Sequence, residues 1–216
     1  IRLTGYGDMG GYLAQFGPLL STGNQVKNIA SVYRTPFIEV ATKCVFTNTT
    51  FVSAYRGAGR PEGNYYIERT LDLAAAELGI DRLDLRRRNM IRKSDLPFKA
   101  ASDMTYDCGD FLGVLKQALD AADYAGFKKR KRESKKRGLL RGFGIGCYLE
   151  VTAAPGKELG AIHFEADGTV TIVTGTLDFG MGHATTYAQI LTDLLGIPFD
   201  RIRMVEGDSD RMTFGG

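Results

Sequence analysis

The sequence predicts an α+β protein in which mixed sheets pack against helices. Three observations predict it. Strand-like and helix-like runs are partly segregated along the chain. Two stretches carry an apolar stripe at helical spacing, and two more carry helix end signals at Asp81 and Gly196. Composition changes sharply after Gly138, from a basic helical segment to glycine-rich, strand-like sequence. No internal repeat is visible.

Residues 1–55 contain short β-like runs broken by Gly and Pro. Gly10-Gly11-Tyr12-Leu13-Ala14 is one, and Phe37-Ile38-Glu39-Val40 and Lys43-Cys44-Val45-Phe46 have the apolar, β-branched content of strands. Pro61 sits where a helix can begin, with Glu62 in its first turn. Ile67, Leu71, Ala74 and Leu78 then share one face, and Gly79 supplies a stop. Asp81 is placed to cap a second short helix through Arg88, with Leu83 and Leu85 turned inward.

A third helix is expected from Asp110 to Asp123, where Phe111, Leu115, Ala118, Leu119 and Ala122 form a stripe. Beyond Gly138, the run Gly142 to Val151 is glycine-rich and strand-like. Ala161 to Phe164 and Thr169 to Thr174 flank Asp167-Gly168, a hairpin turn signal. Thr185 to Leu195 is expected to be a helix ending at Gly196, and Arg201 to Glu206 alternates as a strand does. A domain boundary is placed near Gly138.

The chain has 216 residues, 44% hydrophobic and 25% charged, enough to bury a core without disulfide staples. Cys44, Cys108 and Cys147 are odd in number and far apart, so their spacing carries neither a disulfide framework nor a metal cluster. With no signal-peptide pattern, a reducing, cytoplasmic setting is expected. No apolar run approaches the roughly 20 residues of a membrane span. The start at Ile1 and the stop at Phe214-Gly215-Gly216 lead us to expect an excerpt of a longer polypeptide. From Lys128 to Arg137, eight basic residues stand against one acid, Glu133. No aromatic is interleaved, so a solvated helix or linker is favoured over a nucleic-acid surface.

Two loops stand out chemically. Ala54-Tyr55-Arg56-Gly57-Ala58-Gly59-Arg60-Pro61-Glu62 precedes a helix, and its glycines allow close backbone approach to a ligand while Arg56 and Arg60 add fixed charge. Such a turn is more often only a turn. The second, Gly175 through Thr186, joins a strand to a helix and places glycines and hydroxyl side chains at the helix start, where backbone donors suit a phosphate. It lacks the spacing of a P-loop or a dinucleotide fingerprint. Taken alone, His183 is as readily a capping or core histidine as a ligand contact.

Together the loops are more specific. Thr47-Asn48-Thr49-Thr50, the Ala-Tyr-Arg-Gly-Ala-Gly-Arg-Pro-Glu loop, Glu77 to Asp81 and Arg87-Arg88-Asn89-Met90-Ile91 resemble the molybdopterin-binding subunit of molybdenum hydroxylases, the xanthine dehydrogenase and aldehyde oxidase family. Gly180-Met181-Gly182-His183, Leu195-Gly196-Ile197-Pro198 and Glu206 to Asp210 are similar to a second family segment, in the family's order. The likeness is closest to the carbon monoxide dehydrogenase large-subunit-like branch, in the form with Gly57 where the copper-binding cysteine stands in true carbon monoxide dehydrogenases.

The resemblance implies the rest. Residues 1–138 would be the C-terminal part of a first molybdopterin-binding domain and 139–216 the N-terminal part of a second. Arg56 would lie beside the molybdenum centre and Gly57 and Ala58 would face the substrate. Gly180, Met181, Gly182 and His183 would touch a molybdopterin cytosine dinucleotide. The family reaction hydroxylates an electron-poor carbon of an aldehyde, N-heterocycle or related small molecule with water-derived oxygen. Electrons leave through 2Fe-2S clusters to FAD, on iron–sulfur and flavin subunits of a dimer of heterotrimers. The family's base glutamate is not among these residues, so none is assigned as catalytic, and Glu150 is only a pocket candidate. Met181 replaces a family Gln and cannot donate a hydrogen bond. The competing reading is a degenerate or accessory homologue that keeps the fold without turnover.

Overall fold

The computed structural model describes residues 1–150 and 158–212. By its internal contacts the chain falls into two compact units, Ile1–Glu150 and Val151–Gly216. The boundary expected near Gly138 lies just beyond the last helix of the first unit.

The first unit opens with β1 (Arg2–Asp8), which pairs in parallel with β2 (Glu39–Val45) from Arg2↔Glu39 to Asp8↔Val45. Two short helices, α1 (Gly17–Ser21) and α2 (Gly23–Asn28), lie in the crossover. The Gly10–Ala14 run expected to be β-like forms no strand, whereas the glycine-containing Arg2–Asp8 does. Gly7 explains why glycine is tolerated there, because an added Cβ would lie 2.3 Å from the Ser21 hydroxyl oxygen of α1. The two runs expected at 37–40 and 43–46 are one strand.

The long helix α3 (Arg60–Leu78) ends on Gly79 in the left-handed conformation, as its sequence requires. Helix α4 (Arg82–Asn89) is capped by the Asp81 carboxylate, which accepts from the Leu83 and Asp84 N–H groups. A short antiparallel pair, β3 (Phe98–Lys99) and β4 (Thr105–Tyr106), precedes α5 (Phe111–Ala121), whose Asp110 cap accepts from Gly113 N–H. Helix α6 (Phe127–Lys136) carries the basic run on its exposed face and buries Ser134.

The core of this unit gathers Val32, Tyr33, Ile67, Leu83, Met90, Leu115 and Leu119. Against it pack Phe143, Ile145, Cys147 and Leu149, alternate residues of the extended run expected to be a strand. That run has strand periodicity but joins no ladder among the described residues, and its last residue, Val151, lies outside them. At the centre Arg86, fully buried, donates to Glu68, Asp72 and two backbone carbonyls. Tyr33 donates to the other Glu68 oxygen at 2.6 Å. Burial and Glu68 push the Tyr33 phenol far above its usual range.

The second unit is a three-stranded mixed sheet. The expected hairpin is present, β5 (Gly160–Phe164) antiparallel to β6 (Val170–Thr174), and β7 (Ile202–Val205) adds in parallel on the other side of β6. Helix α7 (His183–Leu195) makes the crossover from β6 to β7. Being central, β6 is buried along its whole length, and Val170 and Ile172 meet Leu191 of α7.

Candidate functional site

The candidate residues lie on one loop in each unit. Loop one, Tyr55 to Gly59, leads into α3. Gly57, Ala58 and Gly59 all take positive φ, at 100°, 45° and 88°. Such angles suit glycine, whereas Ala58 is strained there. Short turns close the loop, with Ala58 N–H donating to the Tyr55 carbonyl at 2.7 Å and Arg60 N–H to the Gly57 carbonyl at 3.0 Å.

Its glycines serve the chain's own packing. A Cβ on Gly59 would lie 2.2 Å from the Leu20 carbonyl oxygen, and one on Gly57 would lie 2.7 Å from Pro61 Cγ. Arg56 is exposed and Gly57 and Ala58 are half-buried, so this edge of the loop is the one open to a ligand. Arg60 pairs with Glu150 at 3.0 Å and donates to the Gly57 carbonyl at 3.4 Å, which makes Glu150 an ion-pair partner beside the loop.

Loop two leaves the carboxyl end of β6 and enters α7, the place where parallel strands of open α/β sheets present ligand sites. Gly180 and Gly182 have φ of 103° and 77°, and a Cβ added to either would meet nothing within 4 Å. The face over these glycines is open, and Met181 between them is half exposed.

Its donors are arranged around a residue the sequence reading passed over. The Asp178 carboxylate accepts from the N–H groups of Gly180 at 2.6 Å, Met181 at 2.7 Å, Gly182 at 3.0 Å and His183 at 2.9 Å. Those bonds, Gly180's first, hold its carboxyl below the usual range. The expected phosphate donors are therefore satisfied internally. Asp178 N–H in turn donates to Glu206 Oε2 at 3.2 Å, just past β7. His183 stacks on Tyr187 with ring centroids 5.3 Å apart. Its buried Nδ1 has no hydrogen-bond partner among the described residues, and Glu206 Oε2 lies 4.0 Å away. A carboxylate placed before a Gly-x-Gly helix start was the available signal for Asp178. Glu206 had none.

Loop two thus presents the open backbone of Gly180, Met181 and Gly182, a surface with room for a flat group to lie against it. It does not offer free backbone donors to a phosphate unless Asp178 turns away. Among the described residues no group of three or more His, Cys, Asp or Glu side chains is placed to hold a metal ion, and all three cysteines are free.

Comparison with known proteins places the chain in a family. Models of the molybdopterin cofactor-binding domain match residues 1–90 and residues 117–216. The 6-hydroxypseudooxynicotine dehydrogenase complex subunit gamma of Paenarthrobacter nicotinovorans is 32% identical over 95% of this chain and 26% of its own length. The carbon monoxide dehydrogenase large chain of Afipia carboxidovorans is 36% identical over 85% of this chain and 25% of its own. Quinoline 2-oxidoreductase from Pseudomonas putida 86 superposes with a TM-score of 0.86 at 28% identity, over 97% of this chain and 28% of that one. The chain belongs to the molybdopterin-binding subunits of the molybdenum hydroxylase family. It spans about a quarter of the length of the curated relatives it matches.

Proposed function

We propose that this chain is part of the cofactor subunit of an oxidoreductase that hydroxylates an aldehyde, N-heterocycle or related small molecule with water-derived oxygen. The observation carrying this reading is loop two, an open Gly-Met-Gly turn at the carboxyl end of a parallel strand, within a segment matched by a molybdopterin-binding model. In this reading residues 1–138 and 139–216 are parts of two adjoining cofactor-binding domains. Gly180, Met181, Gly182 and His183 hold the cofactor, taken as the cytosine dinucleotide form. Arg56 lies beside the metal and Gly57 and Ala58 face the substrate.

When bound, the molybdenum–pterin group supplies the redox chemistry, and the polypeptide supplies orientation and electrostatics. Loop one offers a rigid turn with one exposed guanidinium, and loop two is held in shape by Asp178. FAD and 2Fe-2S clusters sit on partner subunits, in a cytoplasmic dimer of heterotrimers. Several relatives are named as subunits or large chains, which supports partner subunits.

The test is to purify the parent protein with its co-expressed partners and measure molybdenum and the nucleotide released by hydrolysis. Quinoline, nicotine and an aromatic aldehyde are then offered in 18O-labelled water. Near-stoichiometric molybdenum, CMP and labelled product are expected. Product oxygen drawn from O2 refutes the reading.

One observation favours a second reading. Asp178 already satisfies the four N–H groups of loop two, and Met181 offers no donor. A homologue that keeps the fold and its partners without the cofactor would look the same. Its signature is an intact complex with negligible molybdenum.

A further inference from the structure

Loop one is strained, and the structure shows what holds it. Gly59 and Gly63, four residues apart at the start of α3, leave room for the α1–α2 backbone to lie directly against that helix. A Cβ on Gly63 would come 3.0 Å from the Gln25 carbonyl oxygen, and one on Gly59 would overlap Leu20. This close approach brings one face of α2 onto the loop. Asn24 and Asn28 occupy that face, four residues apart and each 6% exposed. Asn24 Nδ2 donates to the Ala58 carbonyl at 2.7 Å, and Asn28 Nδ2 to the Arg60 carbonyl at 3.1 Å. Two buried amides, 34 and 32 residues away in sequence, thus bracket Gly59.

We propose that Asn24 and Asn28 are positioning residues that fix the left-handed turn of Gly57, Ala58 and Gly59, and with it the edge turned toward substrate and metal. The inference rests on the placement of loop one given under Proposed function. Three successive left-handed residues, one of them alanine, persist only where surrounding structure over-determines them. The loop's own hydrogen bonds are short-range turns. Among the described residues the two asparagines are what tie backbone carbonyls on either side of Gly59 to another element, and the Ala58 carbonyl would otherwise face the packed α2 without that donor.

The test uses the parent holoenzyme with Asn24→Asp and Asn28→Asp, which conserve side-chain size and remove the amide donor. Amide hydrogen exchange is followed at Ala58 and Arg60, whose N–H groups close the turn. Alongside it are measured molybdenum content and the Mo(V) paramagnetic resonance signal after reduction with dithionite. Exchange about tenfold faster at those two amides is expected, equivalent to about 1.4 kcal/mol. The α3 amides should be unchanged, with an altered Mo(V) signal at unchanged molybdenum content. Unchanged exchange at Ala58 and Arg60 overturns the proposal, as does a uniform loss of protection with lowered molybdenum, which marks a merely structural role. Faster loop exchange with an unaltered Mo(V) signal leaves the asparagine clamp standing and overturns the placement of loop one beside the metal. Should neither variant fold, the wild-type holoenzyme decides. The clamp requires Ala58 and Arg60 to be protected like the α3 amides, and free exchange there overturns it.

Discussion

Replacing Glu68 by leucine would remove the counter-charge from the most deeply buried cation of the first unit. Arg86 has no exposed surface, and its Nε and Nη2 both reach Glu68 Oε2 at 2.8 Å. Asp72 supplies the remaining carboxylate at 2.8 Å, from a position one-quarter exposed. Breaking a buried pair by removing one partner costs about 3–5 kcal/mol, because the surviving charge stays desolvated. Asp72 remains as partial compensation, which places the loss near the lower end, about 3 kcal/mol. The Tyr33 hydroxyl also loses its acceptor. Amide exchange in α3 and α4 reads this directly, since a loss of that size raises exchange through local opening by roughly two orders of magnitude. The double variant Glu68→Leu/Arg86→Met removes both charges and should recover most of the loss, as apolar replacement of a whole pair is often neutral. An acceleration of less than about fivefold in Glu68→Leu, equivalent to about 1 kcal/mol, refutes the reasoning. So does a double variant no more stable than the single.

Three further outcomes follow from the same structure. The Asp178 carboxyl is held below its ordinary value of 3.8, so the order it gives loop two is complete above that pH and is lost as pH falls through the lower folded-state value. Exchange at Gly180 to His183, corrected for intrinsic pH dependence, should quicken there, and Asp178→Ala should show the quickened rate at neutral pH. The Tyr33 phenol is raised by burial, so its contribution to stability is complete below pH 10.0 and declines above it, as only the unfolded chain ionises. Denaturation midpoints measured from pH 8 to 11 should fall, and less steeply in Tyr33→Phe. Gly57→Cys should not confer copper binding on the parent enzyme, because a Cβ there needs φ of 100° and lies 2.7 Å from Pro61 Cγ. Stoichiometric copper with an undisturbed fold would show that argument wrong.

The helices legible in the sequence were those whose ends carry chemistry. Asp81 and Asp110 cap α4 and α5 with their carboxylates, and Gly79 and Gly196 close α3 and α7 in the left-handed conformation. Helices α1 and α2 were not legible. At five and six residues they are too short to show a period or to stand alone, and packing against β1 and α3 holds them. Strand β1 was hidden for a related reason, since its two glycines lower strand propensity and one of them, Gly7, is there to admit α1. In the candidate site the glycines and His183 were legible by composition. The roles of Asn24, Asn28 and Glu206 were not, because the hydrogen bonds that define them reach backbone groups 34, 32 and 28 residues away.

The two loops use the same residue types for different physical reasons, and this bears on what each can bind. In loop one the left-handed glycines are enclosed, Gly59 by the Leu20 carbonyl and Gly57 by Pro61, so a side chain at either would collide with the protein itself. The edge left open there is that of exposed Arg56 and half-buried Gly57 and Ala58. In loop two Gly180 and Gly182 face open space, so a side chain at either would meet only the conformational cost of positive φ and whatever approaches from outside. Asp178 completes the difference. By drawing four N–H groups inward it makes this helix start less a seat for an anion than a preformed backbone surface, against which a flat or extended group can lie. An anionic ligand at this loop must either displace Asp178 or keep its charge away from the helix axis. Those two modes differ in sign, because displacement makes binding tighten when Asp178 is replaced by alanine, and the preformed surface makes it weaken.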